Sequence, residues 1–329
     1  MDQDAPATGT DDPIAAGTDR LDPETAEKAR AAREALAARD GVLVAFSGGV
    51  DSSVVSALAH DALGEDAVAC TARSETLPAA ELDDAKRVAE EIGIRHDTVT
   101  FSELDDPNFV ANDGDRCYHC RTMRLGRMYD RARELGIETV CDGTNADDPG
   151  EGHRPGLRAV EELEVSSPLL DAGITKEEVR AVAEAYDLSV ADKPSMACLS
   201  SRIPTGLEVT EARLSRVERA ENRLREWGFE GFRVRDHDGL ARIEIAPEEL
   251  ERALDPAFAD AVHEHLTEIG FEYVTLDMAG YRTGSVSPGG GETAERDDDA
   301  AGDGDDDAAG DGDDTADAEG LDLDRRYPR

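Results

Sequence analysis

Val42-Leu43-Val44-Ala45-Phe46-Ser47-Gly48-Gly49-Val50-Asp51-Ser52-Ser53 is the stretch on which the fold turns. Its first five residues are apolar, valine-rich and too few for a helix, so they read as a buried strand; the Ser-Gly-Gly that follows reads as a turn into a helix. A strand delivering the chain to a helix N-terminus aims backbone N–H groups and the positive end of the helix dipole at one point, which favours an anion. Gly48 and Gly49 permit close approach of the main chain, and Ser47, Ser52 and Ser53 add hydroxyl donors. The pattern GxxxxGK[ST] is absent, so γ-phosphoryl transfer in that style is not indicated. Asp51 would repel polyphosphate, and bound Mg²⁺ is the simplest remedy.

Outward from this stretch, strand and helix patterns alternate. A helix is expected from about Pro23 to Arg39, then the strand Val42 to Phe46, a helix over Val54 to Leu63, and a strand over Ala67 to Ala72. A helix over Ala79 to Ile92, a strand over Thr98 to Phe101, a helix over Arg121 to Leu135 and a strand over Glu138 to Asp142 continue the series. Short helices follow over Pro155 to Leu163 and, capped by Thr175, to Tyr186. Such alternation predicts an α/β, doubly wound parallel sheet covered on both faces, with ligands outside the carboxyl ends of the strands. From Thr210 the rhythm changes to a charged helix ending near Trp227, strands Phe232 to Arg235 and Leu240 to Ile245, helical segments to Ile269 and a strand Tyr273 to Leu276. This is a small α+β domain. The expected division is an acidic disordered terminus 1–20, the sheet domain 21–205, the α+β domain 206–285 and a disordered acidic tail 286–329, since the ends offer almost nothing to bury.

The 329 residues carry 35 Lys plus Arg against 76 Asp plus Glu, a balance of -41. That disfavours nucleic acid as a partner. Only Lys28, Lys86, Lys176 and Lys193 are lysines, and the arginine-rich, acidic composition fits a salt-loving organism of haloarchaeal type, where concentrated salt screens charge. No run approaches a membrane span and the first residues lack the apolar core of a secretory signal, so no membrane association and a cytoplasmic location are expected. In a reducing compartment, five cysteines point to metal, cluster or thiol chemistry rather than disulfides. Cys70 and Cys141 fall inside strands and read as core residues. Cys117 and Cys120 form a C-x-x-C just before a helix, and Cys198, in a polar segment, is the third candidate ligand. Three thiolates suit a [4Fe-4S] cluster with one iron left open; zinc held by the three with His119 is the competing reading.

The string Ser47 to Ser53 resembles the pyrophosphate loop, SGGxDS[ST], of the ATP pyrophosphatase superfamily, also termed adenine nucleotide alpha hydrolase-like. With Arg116 to Cys120, Asp142 to Asp148, Arg154 to Leu157, Ser167 to Leu170, Ala197 to Pro204 and Tyr273 to Ser285, the chain between Val42 and Ser285 resembles the LarE family of ATP-dependent sulfur transferases in nickel-pincer cofactor synthesis. The resemblance implies that ATP adenylylates a carboxylate of pyridinium-3,5-dicarboxylate mononucleotide, releasing pyrophosphate, and that sulfur then replaces AMP to give a thiocarboxylate. It implies Cys198 as sulfur donor or cluster ligand, and a [4Fe-4S] cluster on Cys117, Cys120 and Cys198. It further implies Arg202, Arg235 and Arg282 near substrate or leaving-group phosphates, where the bidentate arginine fork is suited. His153 stands where the family often has an aromatic residue. Asp147, Asp148 and Glu151 are candidate Mg²⁺ ligands. A homo-oligomer, and other proteins of nickel-pincer cofactor synthesis as partners, are implied too. Alternatives are a tRNA thiolase of the same superfamily, for which Arg116, Arg121, Arg124 and Arg127 would supply a basic cluster, an amidating NAD or GMP synthase relative, and a nucleotide-binding protein without turnover.

Overall fold

The computed structural model describes residues 20–149, 155–194 and 197–281. The expected disorder of 1–20 and 286–329 lies, Arg20 apart, outside them. Two compact units meet in sequence after Ser215.

The first unit opens with α1 (Pro23–Ala37), started by a proline at its first turn and by Asp22, whose carboxylate accepts from the Glu24 and Thr25 amides. It continues through β1 (Val42–Ala45), α2 (Val50–Leu63), β2 (Ala67–Arg73), α3 (Ala79–Ile92), β3 (Arg95–Thr100), α4 (Pro107–Val110), α5 (Arg116–Leu135) and β4 (Thr139–Cys141). Helices α6 (Pro155–Glu162), α7 (Pro168–Asp171) and α8 (Lys176–Ala185) follow, and α9 (Glu211–Glu226) contains the boundary between the units. The four strands pair in parallel in the order β3-β2-β1-β4.

Strand alternation divides the core between the two faces of this sheet. Val42 and Val44 of β1 face a cluster with Leu36, Val54, Leu58, Val88 and Val182. Leu43 faces the opposite way, with Leu125, Met128 and Ala132 of α5 and Val160 of α6. All three β1 residues are fully buried, each such side chain contributing about 1.5–3 kcal/mol relative to exposure. Cys70 and Cys141 are likewise fully buried, one on each face. The chain winds outward from β1 through β2 to β3, then returns to the other side of β1 as β4. The crevice where the winding reverses therefore lies at the carboxyl ends of β1 and β4.

Two expected helices begin earlier than their apolar spacing indicated. Helix α2 starts at Val50 rather than Val54, with Gly49 as its cap, so the second half of the Ser47–Ser53 loop is its first turn. Helix α5 starts at Arg116, after Gly114 and Asp115, so the C-x-x-C lies within the helix rather than before it.

In the second unit β5 (Phe232–His237) and β6 (Leu240–Ile245) form an antiparallel hairpin. Its turn residues Asp238 and Gly239 both have positive φ, as a two-residue turn matched to strand twist requires. Helices α10 (Leu250–Ala253) and α11 (Pro256–Glu268) precede β7 (Tyr273–Leu276), which joins β6 in parallel. Trp227, Phe229, Phe258, Leu266 and Phe271 fill this separate core. Among the described residues, no helix is long and apolar enough to cross a membrane.

Candidate active site

The loop after β1 is shaped by its backbone. Gly48 has φ +70°, and a Cβ there would stand 2.8 Å from the Ala85 Cα, so α3 leaves room only for glycine. No side chain caps the N-terminus of α2, which leaves its first amides open to an anion. The seven loop residues divide their labour. Val50 is buried in the core, and Ser53, also buried, donates its hydroxyl to the Gly49 carbonyl at 2.9 Å. Ser47, Asp51 and Ser52 line a cavity of about 560 Å³. The Ser52 hydroxyl accepts from the Ser47 amide at 3.2 Å and donates to Gly49 O at 3.1 Å, which fixes the turn.

Across the crevice, the loop after β4 comes so close that a Cβ on Gly143 would lie 2.8 Å from the Ser52 amide nitrogen. Asn145 Nδ2 donates to Asp51 Oδ1 at 3.0 Å, and Lys176 Nζ, at the start of α8, meets Asp51 Oδ2 at 2.5 Å. The loop aspartate thus already has a cation supplied by the protein, where the sequence suggested only Mg²⁺. Asp142 is buried; it accepts from the Ser167 hydroxyl at 2.7 Å and the Thr144 hydroxyl at 2.6 Å, and anchors the Arg121 guanidinium at the cavity. Asp148 lines the same cavity, while Asp147 accepts from the Lys176 amide at 2.7 Å. Glu151, His153 and Arg154 lie outside the described residues.

The three cysteines of the sequence reading line this one cavity. Within α5, Cys117, Cys120, Arg121, Arg124, Leu125 and Met128 form a continuous stripe at three- and four-residue spacing, and all six face the cavity. Cys198 arrives from far along the chain, as the cap of the short 3-10 turn Leu199–Arg202. The Leu199 amide donates to Thr76 O at 3.0 Å, and Arg116 donates to Ser200 O at 2.9 Å and to Asn112 Oδ1 at 2.6 Å. Asn112, buried and with φ 57°, donates from Nδ2 to Pro204 O at 2.8 Å and Leu207 O at 2.7 Å. These bonds tie the Cys198 segment to the start of α5. The Cys198 thiol lies 3.1 Å from the Ser200 hydroxyl. Burial pushes the Cys120 thiol up to about 12, with the Arg124 cation opposing the shift and Cys198 and Glu103 adding to it. Burial also pushes Cys70 and Cys141 up to about 12, as inert core thiols. His119 faces Asp106 at 3.5 Å and is not among the residues lining the cavity. Among the described residues, no group of three or more His, Cys, Asp or Glu side chains forms a ready-made metal-ion site.

The arginines named from the sequence have different surroundings. Arg202 is buried, its Nη1 donating to Ala197 O at 2.8 Å and Ser201 Oγ at 2.9 Å, so it staples the Cys198 turn. Arg235 belongs to the second unit, where it is 1% exposed and forks onto the fully buried Glu244, Nε to Oε1 at 2.6 Å and Nη2 to Oε2 at 3.1 Å. Arg282 lies outside the described residues. Arg121, Arg124 and Lys176 reach the site without having been assigned to it from the sequence. The two arginines carried a signal, standing four residues after Cys117 and Cys120; Lys176 carried none.

Comparison with known proteins bears on this arrangement. Residues 28–125 match the family model described as asparagine synthase. A pyridinium-3,5-bisthiocarboxylic acid mononucleotide synthase of Lactiplantibacillus plantarum is 38% identical over 247 residues, which cover 75% of this chain and 88% of that protein. The chain belongs to the LarE family. It is an enzyme, a sulfur transferase built on the ATP-using pyrophosphate-loop domain. An uncharacterised protein of Synechocystis sp. is 42% identical over 248 residues, 75% of this chain and 92% of its own. A tRNA-specific 2-thiouridylase of Geobacter metallireducens is 31% identical over 198 residues, but these cover only 47% of this chain and 53% of that protein. The LarE relationship therefore spans both compact units along the chain, whereas the thiouridylase match covers about half of it.

Proposed function

We propose that this LarE-family enzyme adenylylates a carboxylate of pyridinium-3,5-dicarboxylate mononucleotide and replaces the AMP with sulfur, in nickel-pincer cofactor synthesis. One observation carries the reading: the loop residues Ser47, Asp51 and Ser52 and the thiols of Cys117, Cys120 and Cys198 line a single cavity. Adenylylation and sulfur insertion need such closeness, because the acyl adenylate must meet sulfur before water does.

A substrate carboxylate oxygen attacks the α-phosphorus of ATP, and pyrophosphate leaves onto the Ser47–Ser53 loop and the open amides of α2. Asp148, with Asp51 beside its Lys176 partner, would hold Mg²⁺ at the cavity, and the ion would offset the charge of the phosphates. Arg116 and Arg121 suit an anionic substrate, each fixed by polar partners rather than free to collapse. The sulfur nucleophile then attacks the activated carbonyl carbon and AMP departs. The three thiols fit a [4Fe-4S] cluster in donor type, two of them one helical turn apart on α5, and would hold such a cluster, which would supply the sulfur for transfer. Arg202 serves by holding the turn that presents Cys198. A substrate phosphate would gain Arg235 only by displacing Glu244, and Arg282 is assigned by resemblance alone. The enzyme works in the cytoplasm of a salt-loving cell, as a homo-oligomer, beside other proteins of cofactor synthesis.

An anaerobic assay with purified enzyme, ATP, Mg²⁺ and the pyridinium dicarboxylate nucleotide tests this. Pyrophosphate release and a thiolated product of the expected mass are the predicted outcome. Release that depends on tRNA instead would overturn the substrate, and ammonia-dependent amide formation would overturn the sulfur chemistry. A loss of about 34 Da from Cys198 per turnover, the mass of H₂S, would replace the cluster with a sacrificial cysteine.

A further inference from the structure

Behind Cys120 stands a group that phosphate binding and the ligand set leave unused. Glu103, in the short turn after β3, is fully buried. Its Oε1 accepts from the Thr76 hydroxyl at 2.9 Å and lies 3.5 Å from both Cys120 Sγ and Arg124 Nη2, while its Oε2 finds no hydrogen-bond partner among the described residues. Arg124 Nη2 is 3.6 Å from Cys120 Sγ, and its buried Nε is also without a partner among the described residues. A buried carboxylate left half satisfied is costly and contributes little to stability, so packing alone does not account for the arrangement.

The two charges differ in access. Glu103 is sealed away, whereas the Arg124 side chain keeps 32% of its surface and lines the cavity with Cys120 and Cys198. At 3.5 Å, with Oε1 also held by Thr76, the carboxylate does not engage the guanidinium in a two-bonded fork. The Arg124 charge is therefore positioned from behind and left largely uncompensated in front, where the thiols are. Three thiolates outweigh the positive charge of an oxidised [4Fe-4S] core, so a cation there offsets what the ligands bring.

We propose that Arg124 is the cation that compensates the negative charge gathered on Cys120 and Cys198, and that Glu103, pinned by Thr76, is the positioning residue that fixes where this cation sits. This rests on the cluster reading given above, and it adds a residue pair outside the ligand set. The potential of a cluster follows the charge around it, so removing the cation and removing the anion shift it in opposite directions.

The test uses the full-length protein reconstituted anaerobically with iron and sulfide, comparing wild type with Arg124→Met, Arg124→Lys and Glu103→Gln for iron content, midpoint potential and melting temperature. Expected are a more negative potential for Arg124→Met, a more positive one for Glu103→Gln, and a near-wild-type value for Arg124→Lys. Should Arg124→Met hold no iron, Arg124→Lys decides: iron retained upholds the charge role, and iron lost from both at unchanged melting temperature overturns it. Full iron at unaltered potential in Arg124→Met and Glu103→Gln overturns the inference alone. A wild-type chain that takes up no iron overturns the cluster reading and this inference together.

Discussion

Arg235 shows how little a residue's identity says about its task. An arginine in a strand of a phosphate-handling enzyme suggests an anion ligand, yet here the guanidinium is almost wholly buried and forks onto a buried glutamate. Glu244 also accepts from Arg242 Nη2 at 2.7 Å, so Arg235→Ala leaves the carboxylate one partner and is expected to cost about 1–3 kcal/mol, from lost hydrogen bonds to a buried charge. Arg235→Met, which keeps the Glu244–Arg242 bond and restores apolar packing, should recover part of that loss. Denaturant unfolding measures both. A single variant of wild-type stability with a raised KM for the nucleotide substrate would return Arg235 to the phosphate role. Cys70 and Cys141 present the opposite case, in which identity sufficed: apolar neighbours in sequence marked them as core, and both are fully buried.

At the level of elements, the sequence was most legible where the determinants are contiguous. The bounds of α3, β6 and β7 match the apolar pattern, because turn residues and glycines on either side punctuate it. Apolar spacing places the starts of α2 and α5 too late, since polar first turns lack it and a helix beginning shows mainly in its cap, here Gly49 and Asp115. The short helices α4 and α7, single turns with a proline at the first position, leave no periodic signal in the sequence. The link between the Cys198 segment and α5 runs through Asn112, whose amide serves three carbonyls and whose Oδ1 accepts from Arg116. Asn112→Ala should lose on the order of 2 kcal/mol, from unpaired buried groups and an unfavourable φ. It should also lower sulfur insertion far more than pyrophosphate release, because the Ser47–Ser53 loop stays intact. Unfolding curves and a comparison of the two half-reactions check this, and equal losses in both would sink the clamp role.

The whole molecule carries a balance of -41, and charges at that density repel one another when salt is dilute. The Debye length shrinks from about 10 Å at 0.1 M salt to about 3 Å at 1 M, so melting temperature should climb with KCl through the molar range. A melting temperature indifferent to KCl would show that the acidic excess does not govern stability. The sequence by itself determined the α/β class and, through the Ser47–Ser53 string and its flanking motifs, a LarE-family sulfur transferase. Those rest on short strings, each contiguous in the chain, whose propensities and backbone freedom act locally. Only the tertiary structure decided that Cys198 shares a cavity with Cys117 and Cys120, that Lys176 meets Asp51, and that Glu103 stands behind Arg124. Each of these joins segments distant in sequence, and such contacts are set by how the sheet winds and how its faces bury, which no local pattern encodes.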